Sequence, residues 1–463
     1  MLPTLLDDHP IAALVTSPGT SAVAIIRISG FQLLDRLYPI LRHPNGYPVS
    51  HSDLIPRLLK RLNLIDPQTH QTLDQTMVVY FPAPHSYTGE EVVEIQGHGA
   101  LVLIQRTLEI LGEIGIRPAK PGEFTRRACM NGKLDLTQAE AIAALINASS
   151  MRAAREALRQ LEGSLQQPIE TLRERLLTVL AHVEASLDFA DEDIDPLPSP
   201  MILQELSQAT EALGKLLRGA PLGERLREGF HLVIIGRPNV GKSSLFNHLL
   251  GRKRAIVSPT PGTTRDCIES SLEIAGIPVI LLDTAGLRTT DEPIEAEGIA
   301  LTREKLRQAD GVLMLLDAES GLTPEDQDLL NDVADSHAIV VWNKMDLYTG
   351  AYDLHITTTM PTARVSIRTG EGLDELESAI GRLLLPVPVD GEGAIILAAR
   401  QKEALTRALR ALIECETLIM HNRPGEVTAL PLRAALEALG EMIGHVTHDA
   451  LLDRIFSSFC IGK

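Results

Sequence analysis

The chain has 463 residues, enough for about three domains at roughly 150 residues each. Its 43 lysines and arginines stand against 61 aspartates and glutamates, a net charge of -18, and aromatic residues make up only 3%. This argues against a protein that coats RNA by bulk attraction or stacks bases on an aromatic platform, so any nucleic acid must be held by a local basic patch.

Cys129, Cys267, Cys415 and Cys460 lie far apart with no C-x-x-C pair, which argues against a disulfide scaffold or zinc ribbon and suits a reducing compartment. The first ten residues lack the basic-then-apolar order of a signal peptide, and no window approaches the apolar length of a membrane span. The expectation is a soluble cytoplasmic protein.

From residue 11 to about 117, strand-like runs at 22–29, 77–81 and 91–96 alternate with glycine and proline, and an apolar helical stretch follows at 101–111. This is a mixed α/β unit. In the third run Val93 and Ile95 share one face while Val92 and Glu94 share the other, so Glu94 takes the face less committed to the core. It reads either as an exposed strand glutamate or as a functional carboxylate. Residues 117–136 are polar and basic, with Gly122 and Gly132, and form either a solvated connection or a grip on an anion.

Thr137-Gln-Ala-Glu140 reads as a capping box that starts a helical stripe. Leu158, Leu161, Leu165, Ile169, Leu172, Leu176, Leu180, Val183 and Leu187 recur at threes and fours, with a break or kink expected at Pro168. Residues 188–200 are acidic and proline-rich, an exposed loop whose acids are either a hard-cation site or plain surface charge. A further helix is expected over 201–218. Residues 219–386 alternate strand and helix, and helical stripes return at 395–420 and 431–459. His445 and His448 lie three apart, but no third ligand accompanies them, so an ordinary polar face is the plainer reading. Helices on both sides of the middle unit point to one helical domain split in sequence, with the α/β unit inserted in it.

The inserted unit carries the chemistry. Gly236 to Ser243 reads G-R-P-N-V-G-K-S, the G-x-x-x-x-G-K-[ST] loop whose backbone N–H groups cradle phosphates. It lies between an apolar run and a helical one, the order that chemistry requires. Four stations follow in the order of a guanine-nucleotide switch. In P-G-T-T-R-D, Thr264 is suited to complete with Ser243 the shell of a Mg²⁺ ion; Asp283-Thr284-Ala285-Gly286 ends a buried strand, with Asp283 near that metal and Gly286 near a γ-phosphate. Asn343-Lys344-Met-Asp346 is N-K-x-D, and Ser366 stands where a base-backing loop belongs. Asp346 can accept from both N1–H and the 2-amino group of guanine, which a site of this kind uses to reject adenine by roughly 10⁴ or more.

Leu287 occupies the place where many small GTPases carry a water-orienting glutamine, and Glu295 is the best local candidate for that task; Arg265 and Arg288 are either charge stabilisers or structural. Asn239, within the phosphate loop, either holds a monovalent cation with carbonyls of 258–263 or bonds its own backbone.

These motifs, with R-I-S-G at Arg27 to Gly30, E-I-Q-G-H-G at Glu94 to Gly99, P-G-E-F at Pro121 to Phe124 and the terminal C-I-G-K, closely resemble the MnmE (TrmE) family of tRNA-modification GTPases from end to end. The resemblance implies an α/β plus all-α architecture: an N-terminal mixed α/β folate-binding and dimerisation domain (1–125), a discontinuous helical domain (126–218 and 387–463) and an inserted Ras-like P-loop GTPase domain (219–386). It implies a K⁺-stimulated GTPase that forms a homodimer and a heterotetramer with FAD-containing MnmG. Together they would add an aminomethyl or carboxymethylaminomethyl group to carbon 5 of the tRNA wobble uridine. The one-carbon unit would come from 5-formyl- or 5,10-methylene-tetrahydrofolate.

The resemblance further implies GTP contacts from Asn239, Val240, Gly241, Lys242, Ser243, Ser244, Ser258, Thr264, Asp283, Thr284, Ala285, Gly286, Asn343, Lys344, Asp346 and Ser366. Ser243 and Thr264 would hold Mg²⁺; Asn239, Ser258, Thr260 and Thr263 would hold K⁺; Glu295 would position water. Folate would meet Arg27, Glu94, Lys133 and Lys463, and Cys460 matches the family cysteine. The alternative is a regulatory GTPase switch that docks on RNA or the ribosome without modifying it, against which the lack of a basic RNA-binding appendage counts.

Overall fold

A computed structural model of the chain describes residues 9–188, 199–252, 269–282, 309–334, 336–350, 354, 356, 359–385, 397–421, 423–444, 452, 455–457, 459 and 462. They fall into two compact units, Met1–Ala143 with Glu437–Lys463, and Ala144–Leu436.

In the first unit seven strands form one sheet: β1 (Ile11–Leu14), β2 (Ser21–Gly30), β3 (Leu41–Arg42), β4 (Lys60–Ile65), β5 (Thr72–Phe81), β6 (Glu91–Gly99) and β7 (Arg117–Pro118). Their order is β3-β4-β5-β6-β2-β1-β7, antiparallel except for the β1–β7 pair. Helices α1 (Leu33–Leu37) and α2 (Leu101–Glu113) cover one face, where Ile26, Ile28, Val78, Val93 and Ile95 meet Leu33, Leu37, Ile104 and Ile110. Alternation along β6 therefore sends Glu94 to the other face. There α3 (Glu123–Met130) packs Phe124 against Ile11, Ala13 and Tyr87.

The middle of residues 117–136 is thus not a solvated connection: in α3 Glu123 and Arg127 are 3% and 2% exposed, while Lys120 and residues 131–133 are exposed. The helical cap also differs from expectation. Helix α4 (Leu136–Ile146) is capped by Asp135, whose Oδ1 accepts from Gln138 N at 2.9 Å while Gln138 Oε1 accepts from Asp135 N at 3.1 Å. The reciprocal box is Asp135–Gln138, two residues upstream of the one expected, because a carboxylate outcompetes the Thr137 hydroxyl for the free N–H groups. Leu452, Phe456 and Phe459 pack on Leu136 and Ala139, so the last stretch of the chain belongs to this unit.

In the second unit α5 (Met151–Leu161) ends in a turn at Gly163 (φ 94°) before α6 (Gln166–Asp188) starts. The break is therefore at the glycine, and Pro168 sits in the first turn of α6, where a missing N–H costs nothing. Helix α7 (Ser199–Glu228) runs well past residue 218 and through Pro221.

The inserted sheet consists of β8 (Phe230–Ile235), β9 (Glu269–Ile274), β10 (Ile277–Leu282), β11 (Gly311–Asp317), β12 (Ala338–Asn343) and β13 (Thr362–Arg364), with α8 (Lys242–Arg252), α9 (Pro324–Asp332) and α10 (Leu373–Leu384) around it. The order is β13-β12-β11-β8-β10-β9, parallel except for β9. Its strands are apolar on both faces, Leu313 and Leu315 toward one core and Val312, Met314 and Leu316 toward the other, as a parallel sheet covered on both sides requires.

The helices after the sheet, α11 (Ala399–Met420) and α12 (Gly425–Ile443), return to those before it. Helix α11 packs on α7, Thr210 donates to Glu416 at 2.9 Å, and Arg433 meets Glu184 at 2.7 Å. The helical domain is discontinuous, with the nucleotide-type sheet inserted between its halves.

Candidate functional site

The motifs gather at the carboxyl ends of the parallel strands, where ligands bind in open α/β sheets. After β8 the phosphate loop turns through Gly236, Asn239 (φ 63°) and Gly241 (φ 106°). A methyl group on Gly236 would lie 2.5 Å from Leu315 O, and one on Gly241 would collide with the Asn343 amide. The loop is thus pressed against β11 on one side and the N-K-x-D loop on the other, which only glycine permits. Lys242 Nζ donates to Gly236 O at 2.9 Å and Arg237 O at 2.7 Å. Ser243 and Ser244 open α8 with their side chains exposed.

Asn343 ties the two loops together. Its Nδ2 donates to Val240 O at 2.7 Å and its Oδ1 accepts from Ile367 N at 3.3 Å. Lys344 follows in a left-handed conformation (φ 62°) and reaches Asp317 Oδ2 at 2.7 Å. Asp346 accepts from Ser366 Oγ at 2.6 Å and from Arg368 at 2.9 Å. The Ser366 bond is the main cause that holds the Asp346 carboxyl below its ordinary range; burial opposes it and Arg368 adds to it. Asp346 is therefore an ionised, acceptor-only group near neutral pH. These residues fit a guanine nucleotide: a glycine cradle beside α8, and a fixed carboxylate for the base.

The structure brings together Asn239, Val240, Gly241, Lys242, Ser243, Ser244, Asn343, Lys344, Asp346 and Ser366 at this edge. Ser258, Thr260, Thr263, Thr264, Arg265, Asp283, Thr284, Ala285, Gly286, Leu287, Arg288 and Glu295 lie outside the described residues, as do His445, His448, Cys460 and Lys463. Sequence reasoning missed Asp317, Arg368 and the partner of Arg237, the buried Asp326. Only the polar breaks after apolar runs hint at them.

In the first unit Arg27 on β2 and Glu94 on β6 are direct cross-strand partners. Arg27 Nε and Nη2 both reach Glu94 Oε1, at 2.9 and 2.8 Å, with side chains 17% and 15% exposed. The guanidinium lies over the rings of Tyr87 (5.4 Å) and Phe124 (6.0 Å). Lys133 runs its stem beside Gly89, where an added Cβ would stand 3.2 Å from Lys133 Cγ. Below this cluster Arg127 bonds Glu90 at 3.0 Å and Glu123 at 3.1 Å, while Arg117 bonds Glu123 at 2.6 Å. Gly462 is threaded against β1, since a Cβ there would stand 2.5 Å from Leu14 O. Leu14 is next to Ala13, the register partner of Arg27.

Two family models match: "MnmE helical domain" over residues 136–460 and "GTP-binding protein TrmE N-terminus" over residues 10–133. The tRNA modification GTPase MnmE of Magnetococcus marinus is 43% identical, covering 100% of this chain and 99% of that one. The chain belongs to the MnmE family of tRNA modification GTPases. The MnmE proteins of Heliobacterium modesticaldum and Aquifex aeolicus are each 41% identical over 98% of the chain. The helical-domain match thus spans both halves of the helical domain together with the P-loop sheet between them. No described helix is long and apolar enough to cross a membrane.

Proposed function

We propose that the chain binds and hydrolyses GTP and couples that cycle to modification of carbon 5 of the tRNA wobble uridine. The observation that carries the nucleotide reading is the link from Asp346, held by Ser366, through the next residue Ile367, whose N–H donates to Asn343, and from Asn343 to Val240 of the phosphate loop. One side chain spans the base-reading and phosphate-holding loops, so the two ends of a guanine nucleotide are read by one connected site.

Within this reading Ser243 and Thr264 hold Mg²⁺, which neutralises charge on the phosphates. Asn239, Ser258, Thr260 and Thr263 hold K⁺, and Glu295 positions water. Asn239 takes a left-handed turn, which asparagine adopts more readily than other non-glycine residues, within the phosphate loop itself. GTP turnover should fall when Na⁺ replaces K⁺, and Asn239→Ala should remove the difference; turnover indifferent to both changes would refute the cation site.

Arg27, Glu94, Lys133 and Lys463 bind a tetrahydrofolate, 5-formyl or 5,10-methylene, as the one-carbon donor. Glu94 suits the amino-pyrimidine edge of a pterin because Oε1 takes the Arg27 bonds while Oε2 has no protein partner among the described residues. The approach of Gly462 to β1 supports the inclusion of Lys463. Removing Lys463 should weaken folate binding in calorimetry, and an unchanged affinity would refute its role. The working assembly is a cytoplasmic homodimer with FAD-containing MnmG, acting on tRNA; co-purification of this chain with MnmG and tRNA tests it.

A further inference from the structure

The stretch from the last residue of β11 to the first turn of α9 touches both ends of the nucleotide crevice. At the base end Asp317 holds Lys344 through Oδ2 and accepts from Glu319 N at 3.0 Å through Oδ1. At the phosphate end Arg237, the second residue of the phosphate loop, donates from Nε to Asp326 Oδ1 at 2.9 Å and from Nη2 to Ser320 Oγ at 3.0 Å. Asp326 is fully buried. Its Oδ2 accepts from the backbone N and the hydroxyl of Thr323, at 3.1 and 2.8 Å, completing the cap of α9.

The cap is complete without an arginine. A buried carboxylate left without a counter-charge is costly, and here the counter-charge comes from the phosphate loop. A planar guanidinium held at two points fixes its own residue closely. The residue so fixed supplies a backbone carbonyl on which Lys242 Nζ rests at 2.7 Å. The chain of contacts therefore runs from the start of α9, through Arg237, to the lysine that a phosphate loop aims at phosphate oxygens.

We infer that Asp326 is a positioning residue for the phosphate loop, acting through Arg237 on Lys242. The inference rests on the reading of the chain as a GTPase. Asp326 itself has no exposed surface through which to meet a nucleotide. It makes α9 part of the phosphate-holding apparatus, separate from the base-reading contacts of Asp346.

The test is a double-mutant cycle on the full chain, with affinity for a fluorescent GTP analogue and steady-state kcat and KM as readouts. Asp326→Asn and Arg237→Gln should each weaken nucleotide affinity about tenfold, the usual scale for losing a charged hydrogen bond. The double variant should be no weaker than the worse single, because both break one link. Preference for GTP over xanthosine triphosphate should stay at the wild-type value throughout, which separates this role from that of Asp346. If Asp326→Asn fails to fold, Arg237→Lys and Ser320→Ala keep the cap intact and should still lose affinity, Arg237→Lys the more. Variants that melt earlier but bind and turn over GTP within twofold of wild type would overturn the inference, as would losses that multiply in the double variant. A wild-type chain that neither binds nor hydrolyses GTP would instead overturn the GTPase reading beneath it.

Discussion

Ser366 Oγ donates to Asp346 Oδ1 at 2.6 Å, from a serine that is fully buried. The bond sets both the direction of the carboxylate and its charge, and guanine specificity depends on both.

Asp346→Asn replaces one acceptor by a donor opposite two guanine donors. GTP affinity should fall about a hundredfold or more, and xanthosine triphosphate should become the better ligand, measured by competition binding. Retained preference for GTP would place the base elsewhere.

Ser366→Ala removes the main cause of the lowered Asp346 pKa. A carboxyl depressed in the folded chain contributes fully above its ordinary range, and the contribution is lost as pH falls through the depressed value. Without the serine that loss moves to higher pH. GTP binding by the variant should therefore fail earlier on acidification than binding by the wild type, in a titration run at several pH values.

Gly241→Ala puts a methyl group into the Asn343 amide at a backbone φ of 106°. Strain of about 1–3 kcal/mol is expected from the backbone alone. The variant should fold, as judged by circular dichroism, yet bind GTP at least about tenfold more weakly.

Glu123→Gln tests the buried network beneath Arg27. Burial pushes the Glu123 carboxyl up, but Arg117, the Lys120 backbone N–H and Arg127 outweigh it and bring the value from 4.5 down to about 2. Its stabilising effect is thus complete above pH 4.5 and fades as pH falls toward about 2. Because the substitution leaves Arg127 and Arg117 with fewer counter-charges, the first unit should lose about 3 kcal/mol in urea unfolding at neutral pH. The gap between variant and wild type should narrow in acid.

The nucleotide edge was legible because its motifs are local: phosphate cradling and N-K-x-D each need a few adjacent residues between a strand and a helix. The braces were not, since Asp317, Asp326 and Arg368 act across 27, 89 and 22 positions on residues chosen by the fold. Nothing in the local pattern selects such distant partners. The same holds for Arg127, which lies in the stretch that reads either as a solvated connection or as a grip on an anion, and which α3 instead buries against Glu90 and Glu123. Short strands such as Leu41–Arg42 carry too few residues to show alternation, and the helix break fell to Gly163 because the left-handed turn there ends α5 before Pro168 is reached.

The central claim is that a GTP-reading site drives modification of the wobble uridine. Nucleoside analysis of tRNA by mass spectrometry tests it most directly, in cells lacking this chain and complemented with wild type or Asp346→Asn. The account predicts that the 5-aminomethyl or 5-carboxymethylaminomethyl nucleosides disappear without the chain, return with wild type and stay absent with the variant. Unchanged wobble nucleosides in cells lacking the chain would contradict it and favour a switch that binds RNA without modifying it.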